Sequence, residues 1–164
     1  MPGVFIATSA YQVVLAIHIV GVLLAFGAIF AFPIMFALAA RQDPRSLPLM
    51  HRIERMISRV LVNGALVIVV GAGAYLATAG KHWSAFFVQW GIGAAVVIGG
   101  LIGSVMIPVS KRAEAAVRRD LKEAEKGPLQ LSEEYRRLTR TLTLVGSLTG
   151  AIVLATIFIM VLKP

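Results

Sequence analysis

Four stretches of the chain carry no Asp, Glu, Lys or Arg and are each long enough to cross a bilayer: residues 1 to 40, 60 to 80, 82 to 110 and 141 to 162. A hydrocarbon core of about 30 Å takes about 20 helical residues. Inside that core every backbone N–H and C=O must find a partner within its own segment, which an α-helix provides and an isolated strand does not. The chain is therefore expected to be all-α, an integral membrane protein with four spans at approximately 10–40, 60–80, 85–110 and 141–162. Composition agrees. Of 164 residues 58% are hydrophobic and 15% charged, against roughly a quarter charged in an ordinary soluble domain. With no cysteine in the chain, disulfide frameworks, thiolate metal sites and cysteine nucleophiles are excluded.

The net charge of +8 suggests nucleic acid only until the cations are located. Arg41, Arg45, Arg52, Arg55 and Arg59 lie between spans 1 and 2. Lys111, Arg112, Arg118, Arg119, Lys122, Lys126, Arg136, Arg137 and Arg140 lie between spans 3 and 4, leaving Lys81 and Lys163 for the other side. Such a bias places the loops 41–59 and 111–140 in the cytoplasm and both termini on the non-cytoplasmic side of a bacterial-type inner (plasma) membrane. The charge then reflects topology and attraction to anionic lipid, with no nucleic-acid partner. No Lys or Arg precedes Arg41, so the first run reads as a retained span and not a signal peptide.

Local signals divide the chain further. Ser9 and Gln12 have capping-box spacing, which starts helix 1 near Ala10, and Pro33 removes one of its backbone hydrogen bonds. Asp43-Pro44 and Pro48 make a turn, and Leu49, Ile53, Met56, Ile57 and Val60 recur at helical spacing. Helix 3 is expected to run past Pro108 into the cytoplasm, with Glu114 four residues before Arg118, and to stop at Gly127-Pro128. Ser132, followed by Glu133 and Glu134, begins helix 4. The whole is a single membrane domain, an up-down four-helix bundle with a short charged hairpin.

Polar groups inside a membrane are costly and so point to function. The spans hold His18, Asn63 and Gln89 but no carboxylate, which excludes di-iron carboxylate sites and acidic proton relays. By residue count His18 and Gln89 share the outer half, while Asn63 lies near the cytoplasmic end. His18 reads either as an axial ligand or anchor for a flat apolar cofactor such as haem b, or as a neutral histidine bonded to a neighbouring helix, with Gln89 as a candidate partner. Trp90 would wall such a site. A second imidazole could come only from the outer loop, at His82, whereas His51 stands among Arg52, Glu54 and Arg55 and is expected to be solvated. Gly99 with Gly103, and Gly146 with Gly150, have the spacing of close helix packing, within the bundle or in a homo-oligomer or larger membrane complex.

The segment Leu15-Ala16-Ile17-His18-Ile19-Val20-Gly21, then Phe26-Gly27-Ala28 and Phe32-Pro33, resembles the first helix of a broad group. That group contains HemJ-type protoporphyrinogen oxidases, CopD-type copper-resistance proteins and uncharacterised predicted integral membrane proteins. An Arg-rich start to helix 2, the run Gly71-Ala72-Gly73-Ala74-Tyr75-Leu76 and a tryptophan before helix 3 extend the likeness over about residues 11 to 110, closest to the uncharacterised branch. The resemblance implies a haem or other tetrapyrrole site at His18. Where the HemJ type has a lysine early in helix 3 this chain has Gln89, which can hydrogen-bond but carries no charge. Three expectations follow: a redox or tetrapyrrole role centred on His18, a non-catalytic subunit or assembly factor packing through glycine faces, or a small transporter. The last is disfavoured, because no pair of broken helices in inverted repeats is evident.

Overall fold

The computed structural model describes residues 3–126 and 129–163. Six α-helices appear: α1 (Gly3–Gln42), α2 (Leu47–Ile57), α3 (Asn63–Ala79), α4 (Phe86–Leu101), α5 (Ile107–Glu123) and α6 (Glu133–Leu162). Wide π-type turns at Ser58–Val62 and Ile102–Met106 join α2 to α3 and α4 to α5 without a break. The result is four long rods, each long and apolar enough to cross a membrane. Among the described residues there is no strand.

The wide turn in the third rod has a local cause. Pro108 has no N–H to give to the carbonyl four residues back and its ring crowds that carbonyl, so the helix loosens just before it. Pro33 provokes no such turn, and α1 continues through it. Nor does α1 begin near Ala10. It starts at Gly3, so Ser9 lies within the helix and is not its cap. No residue between Gly3 and Ser9 is a proline or other strong breaker, so nothing stops the helix growing backward. The turn after α1 forms as expected: the Asp43 carboxylate accepts from the Arg45 amide at 3.1 Å and Ser46 Oγ donates to the Asp43 carbonyl at 2.7 Å. At the start of α6, Ser132 Oγ accepts from the Tyr135 amide at 3.2 Å. The expected stop at Gly127-Pro128 lies outside the described residues.

Within the membrane region α1 packs chiefly on α3, and α4 on α6, with thinner seams between these two pairs. The core where the pairs meet is formed by Ala25, Phe26 and Ile29 from α1, Val62 and Ala65 from the second rod, Ile98 and Ile102 from the third, and Val153 from α6. A second core lies beyond the spans at the basic end. There Leu47 of α2, Ala113, Ala116 and Val117 of α5, and Tyr135 and Leu142 of α6 pack together. Alanines dominate the α5 side, so α2 can approach its backbone closely.

The face that α2 turns inward is not its apolar one. Leu47, Pro48, His51 and Glu54 are buried, while Leu49, Met56 and Val60 are 54%, 62% and 71% exposed. Close to the bilayer, as at Met56 and Val60, an outward apolar side chain costs little, since its surroundings are as apolar as a core. His51 is therefore not solvated, as its charged neighbours in sequence suggest, but 1% exposed.

Candidate functional site

His18 projects from α1 toward α3. Its Nδ1 lies 2.9 Å from the carbonyl oxygen of Val69, and a carbonyl can only accept, so Nδ1 carries the proton. That tautomer turns the lone pair of Nε2 outward, the arrangement metal-bound histidines adopt when a backbone carbonyl holds the other nitrogen. Gly73 makes room for the ring: a Cβ placed there would lie 3.3 Å from Cε1 and 3.6 Å from Nδ1 of His18. The imidazole thus sits in a notch cut by a missing side chain, half-buried between the two helices.

The other residues expected beside it make separate contacts. Gln89 is exposed, and its Nε2 donates to the Trp83 carbonyl at 2.9 Å, closing the short loop that leads into α4. Trp90 Nε1 donates to Thr156 Oγ1 at 3.1 Å, linking α4 to α6. His82 is exposed, and its ring lies 5.7 Å from that of Phe87. These residues belong to the α4–α6 side of the bundle or to the loop before it, whereas His18 belongs to the α1–α3 side. Among the described residues no group of three or more His, Cys, Asp or Glu side chains could hold a metal ion.

The glycine pairs divide in an unexpected way. A Cβ on Gly150 would meet Phe30 at 3.3 Å, so this glycine serves close packing inside the bundle, whereas one on Gly99 would rest at 3.8 Å from Leu66, an ordinary contact. Their partners Gly103 and Gly146 have nothing within 4 Å, and neither do Gly27, Gly64, Gly71, Gly93 and Gly100.

The densest polar cluster lies at the basic end and was hidden in the sequence. Ser110 Oγ donates to Glu54 Oε2 at 2.7 Å and lies 3.4 Å from His51 Nδ1, while Tyr135 Oη lies 3.3 Å from His51 Nε2. Because the serine proton is committed to Glu54, the serine oxygen accepts from Nδ1–H, and Nε2 accepts from the tyrosine. The Phe36 ring of α1 covers His51 at a centroid distance of 4.6 Å. Burial pushes the Tyr135 phenol above its ordinary value, with Glu54 and Asp120 adding to the shift against an opposing hydrogen bond from Thr139. Tyr135 accordingly remains a donor.

Serine, histidine and glutamate so close together raise the question of nucleophilic catalysis, and the geometry answers it. A catalytic serine gives its proton to an imidazole nitrogen while the carboxylate holds the opposite nitrogen. Here serine and carboxylate share the Nδ1 side and serine donates to the carboxylate, in a cluster whose serine and histidine are each 1% exposed. It is a clasp that fastens α2, α5, α6 and α1 at the basic end of the rods. One turn farther along α5, Arg55 and Arg118 both pair with the Glu114 carboxylate. Burial pushes that carboxyl up, but the hydrogen bonds and charges of Arg118 and Arg55 outweigh it and hold Glu114 below its ordinary range. Asp120, also buried, accepts from the amide and hydroxyl of Ser132 at 2.9 and 3.0 Å and so fixes the start of α6. The sequence signal for the clasp was the spacing of Leu47, His51 and Glu54, which share one helical face.

No curated protein and no solved structure matches the chain. A family model described as a predicted integral membrane protein (DUF2269) matches residues 12–164, nearly the whole chain from the third turn of α1 through the end of α6, and the chain belongs to that family.

Proposed function

We propose that the chain acts as a non-catalytic subunit or assembly factor of a larger membrane complex, received by neighbouring transmembrane helices along its open glycine faces. The observation that carries this reading is the set of seven span glycines whose missing side chains leave empty space. A glycine within a helix costs about 0.5–1 kcal/mol relative to alanine. Gly21, Gly73 and Gly150 recover that cost through close contacts in the bundle. The seven do not. Gly64 and Gly71 lie seven residues apart on an exposed face of α3, and Gly93 and Gly100 do the same on α4. Two such stripes let a partner helix approach backbone to backbone, which is how helices associate where lipid offers no hydrophobic driving force. The test is native electrophoresis of protein extracted in several mild detergents, comparing the natural chain with Gly71→Leu and Gly100→Leu. The natural chain should migrate as a defined assembly with stoichiometric partner chains, and the variants should fold but fall out of it. A monomer or homo-oligomer in every detergent would overturn the reading.

His18 favours a second reading, tetrapyrrole binding with a redox role. Its Nδ1–H is spent on Val69, which leaves Nε2 as an axial donor. Gln89 and Trp90 are engaged elsewhere, so the protein would supply one ligand and an apolar wall. An oxidised-minus-reduced absorption spectrum of protein from cells given a haem precursor decides it: a near-stoichiometric Soret band lost in His18→Ala supports the reading, and a colourless folded protein ends it.

A further inference from the structure

At the basic end a cavity of about 490 Å³ opens between α2 and α5. Four cations surround it: Arg45 and Arg52 from the α2 side, Arg118 and Lys122 from α5. Its floor is apolar, made of Pro48, Leu49 and Leu121, and no carboxylate lines it. Of the four, Arg118 is paired with the Glu114 carboxylate, which lies outside the lining. Among the described residues no carboxylate lies within ion-pairing distance of Arg45, Arg52 or Lys122. The Asp43 carboxylate beside them takes the Arg45 amide. An adjoining hollow of about 330 Å³ shares Arg45 and Leu121 but includes Glu125, so the uniformly positive region is confined to the first cavity. The four cations are solvent-exposed, so their mutual repulsion is modest, and a multivalent anion seated among them turns it into attraction; a volume of this size falls within the range of small-molecule sites.

We propose that this cavity binds a water-soluble phosphate-bearing molecule that has at least two negative charges and an apolar portion to lie on the leucine and proline floor. A phosphate could also come from a lipid headgroup, and the length of α4 and α5 decides between these sources. Starting at Phe86, about 20 residues cross the hydrocarbon and about four more the headgroup layer, which brings the membrane edge to Ser110. Arg118 and Lys122 are eight and twelve residues beyond it, about 12 and 18 Å along the helix axis. A headgroup anchored at the edge does not reach them.

The experiment is calorimetric titration of the full chain in phosphatidylcholine nanodiscs with inorganic pyrophosphate, repeated in discs containing phosphatidylglycerol. Saturable one-site binding is expected, weakening as salt rises and unchanged by phosphatidylglycerol. The paired substitution Arg45→Gln and Arg52→Gln should weaken it at least about tenfold. Lys122→Gln, on the opposite wall, should weaken it too. Arg136→Gln with Arg140→Gln, exposed cations at the same end but outside the cavity, should not. Absence of binding, equal loss in the control pair, or displacement of pyrophosphate by phosphatidylglycerol would each overturn the proposal. Lys122→Gln keeps the test decisive should the paired variant fail to fold, since it removes one exposed charge from a different helix.

Discussion

Two histidines show how far a single residue can be read from its neighbours in sequence. His18 stands in an unbroken apolar run and forms a hydrogen bond to an adjacent helix, as such a residue must in a medium that offers no water. Its partner, however, is a backbone carbonyl of α3, and no side-chain pattern marks a carbonyl. The trace in the sequence was Gly73, four residues after Val69, whose absent side chain forms the notch. Replacing it tests this directly. Gly73→Ala adds one methyl 3.3 Å from the imidazole and gains helix propensity, two opposing effects of similar size. Gly73→Val adds branching as well, and expels the ring from Val69. We expect thermal unfolding in mild detergent to show Gly73→Val destabilised by about 1–3 kcal/mol, the usual cost of overpacking, with Gly73→Ala close to the natural chain. If both unfold together at the natural temperature, the notch does not hold the histidine. His51 misleads in the opposite direction. Followed by Arg52, Glu54 and Arg55 it looks solvated, but on a helix Arg52 turns to another side while Leu47 and Glu54 share the face of His51 that α2 presents to α5.

Helix periodicity located the elements and left their phase undetermined. The stripe Leu49, Ile53, Met56 and Val60 correctly indicates a helix, but beside a bilayer its membrane-side members, Met56 and Val60, can face lipid or core with little difference in energy. Burial of the opposite face was legible only through its polar members, His51 and Glu54, which need partners inside. The wide turns are the second element-scale feature without a sequence signature, apart from Pro108 beside one of them. Each contains one more residue than an α-helical turn. The one at Ser58–Val62 therefore sets the phase between α2, which carries the clasp, and α3, which carries the His18 notch. Deleting Leu61, an exposed residue within that turn, should convert it to an ordinary turn and leave both helices facing their partners. Deleting Val67, more exposed still but within the regular part of α3, rotates everything on one side of it by about 100° relative to the other. The first deletion should unfold near the natural temperature and the second well below it. Equal damage from both would mean that the wide turn has no phasing role.

For the molecule as a whole, the four rods, their alternation and the gathering of cations at one end were legible because the bilayer imposes them: span length follows from its thickness and segment polarity from its lack of water. The candidate site was less legible, because it depends on which rods become neighbours. Pairing of α1 with α3 and α4 with α6 separates His18 from Gln89 and Trp90 even though residue counting puts the first two at one depth. Contact of α2 with α5, and of α5 with α6, brings the two basic segments together at one end, opposite the loop between α3 and α4. That geometry makes orientation a property of the entire bundle. Fourteen of the sixteen Lys and Arg residues lie on the clasp side, and a bias of this size predicts that the cationic loops face the cytoplasm. Because the chain has no cysteine, single cysteines report accessibility without background. With a membrane-impermeant maleimide on intact cells, Ser84→Cys in the short loop should label, and Glu125→Cys should label only after the membrane is opened. The reverse pattern would turn the bundle over and place the anion cavity outside the cell. It would leave the packing of the rods untouched, since helix pairing depends on side-chain fit, whereas insertion responds to the charge carried by the loops.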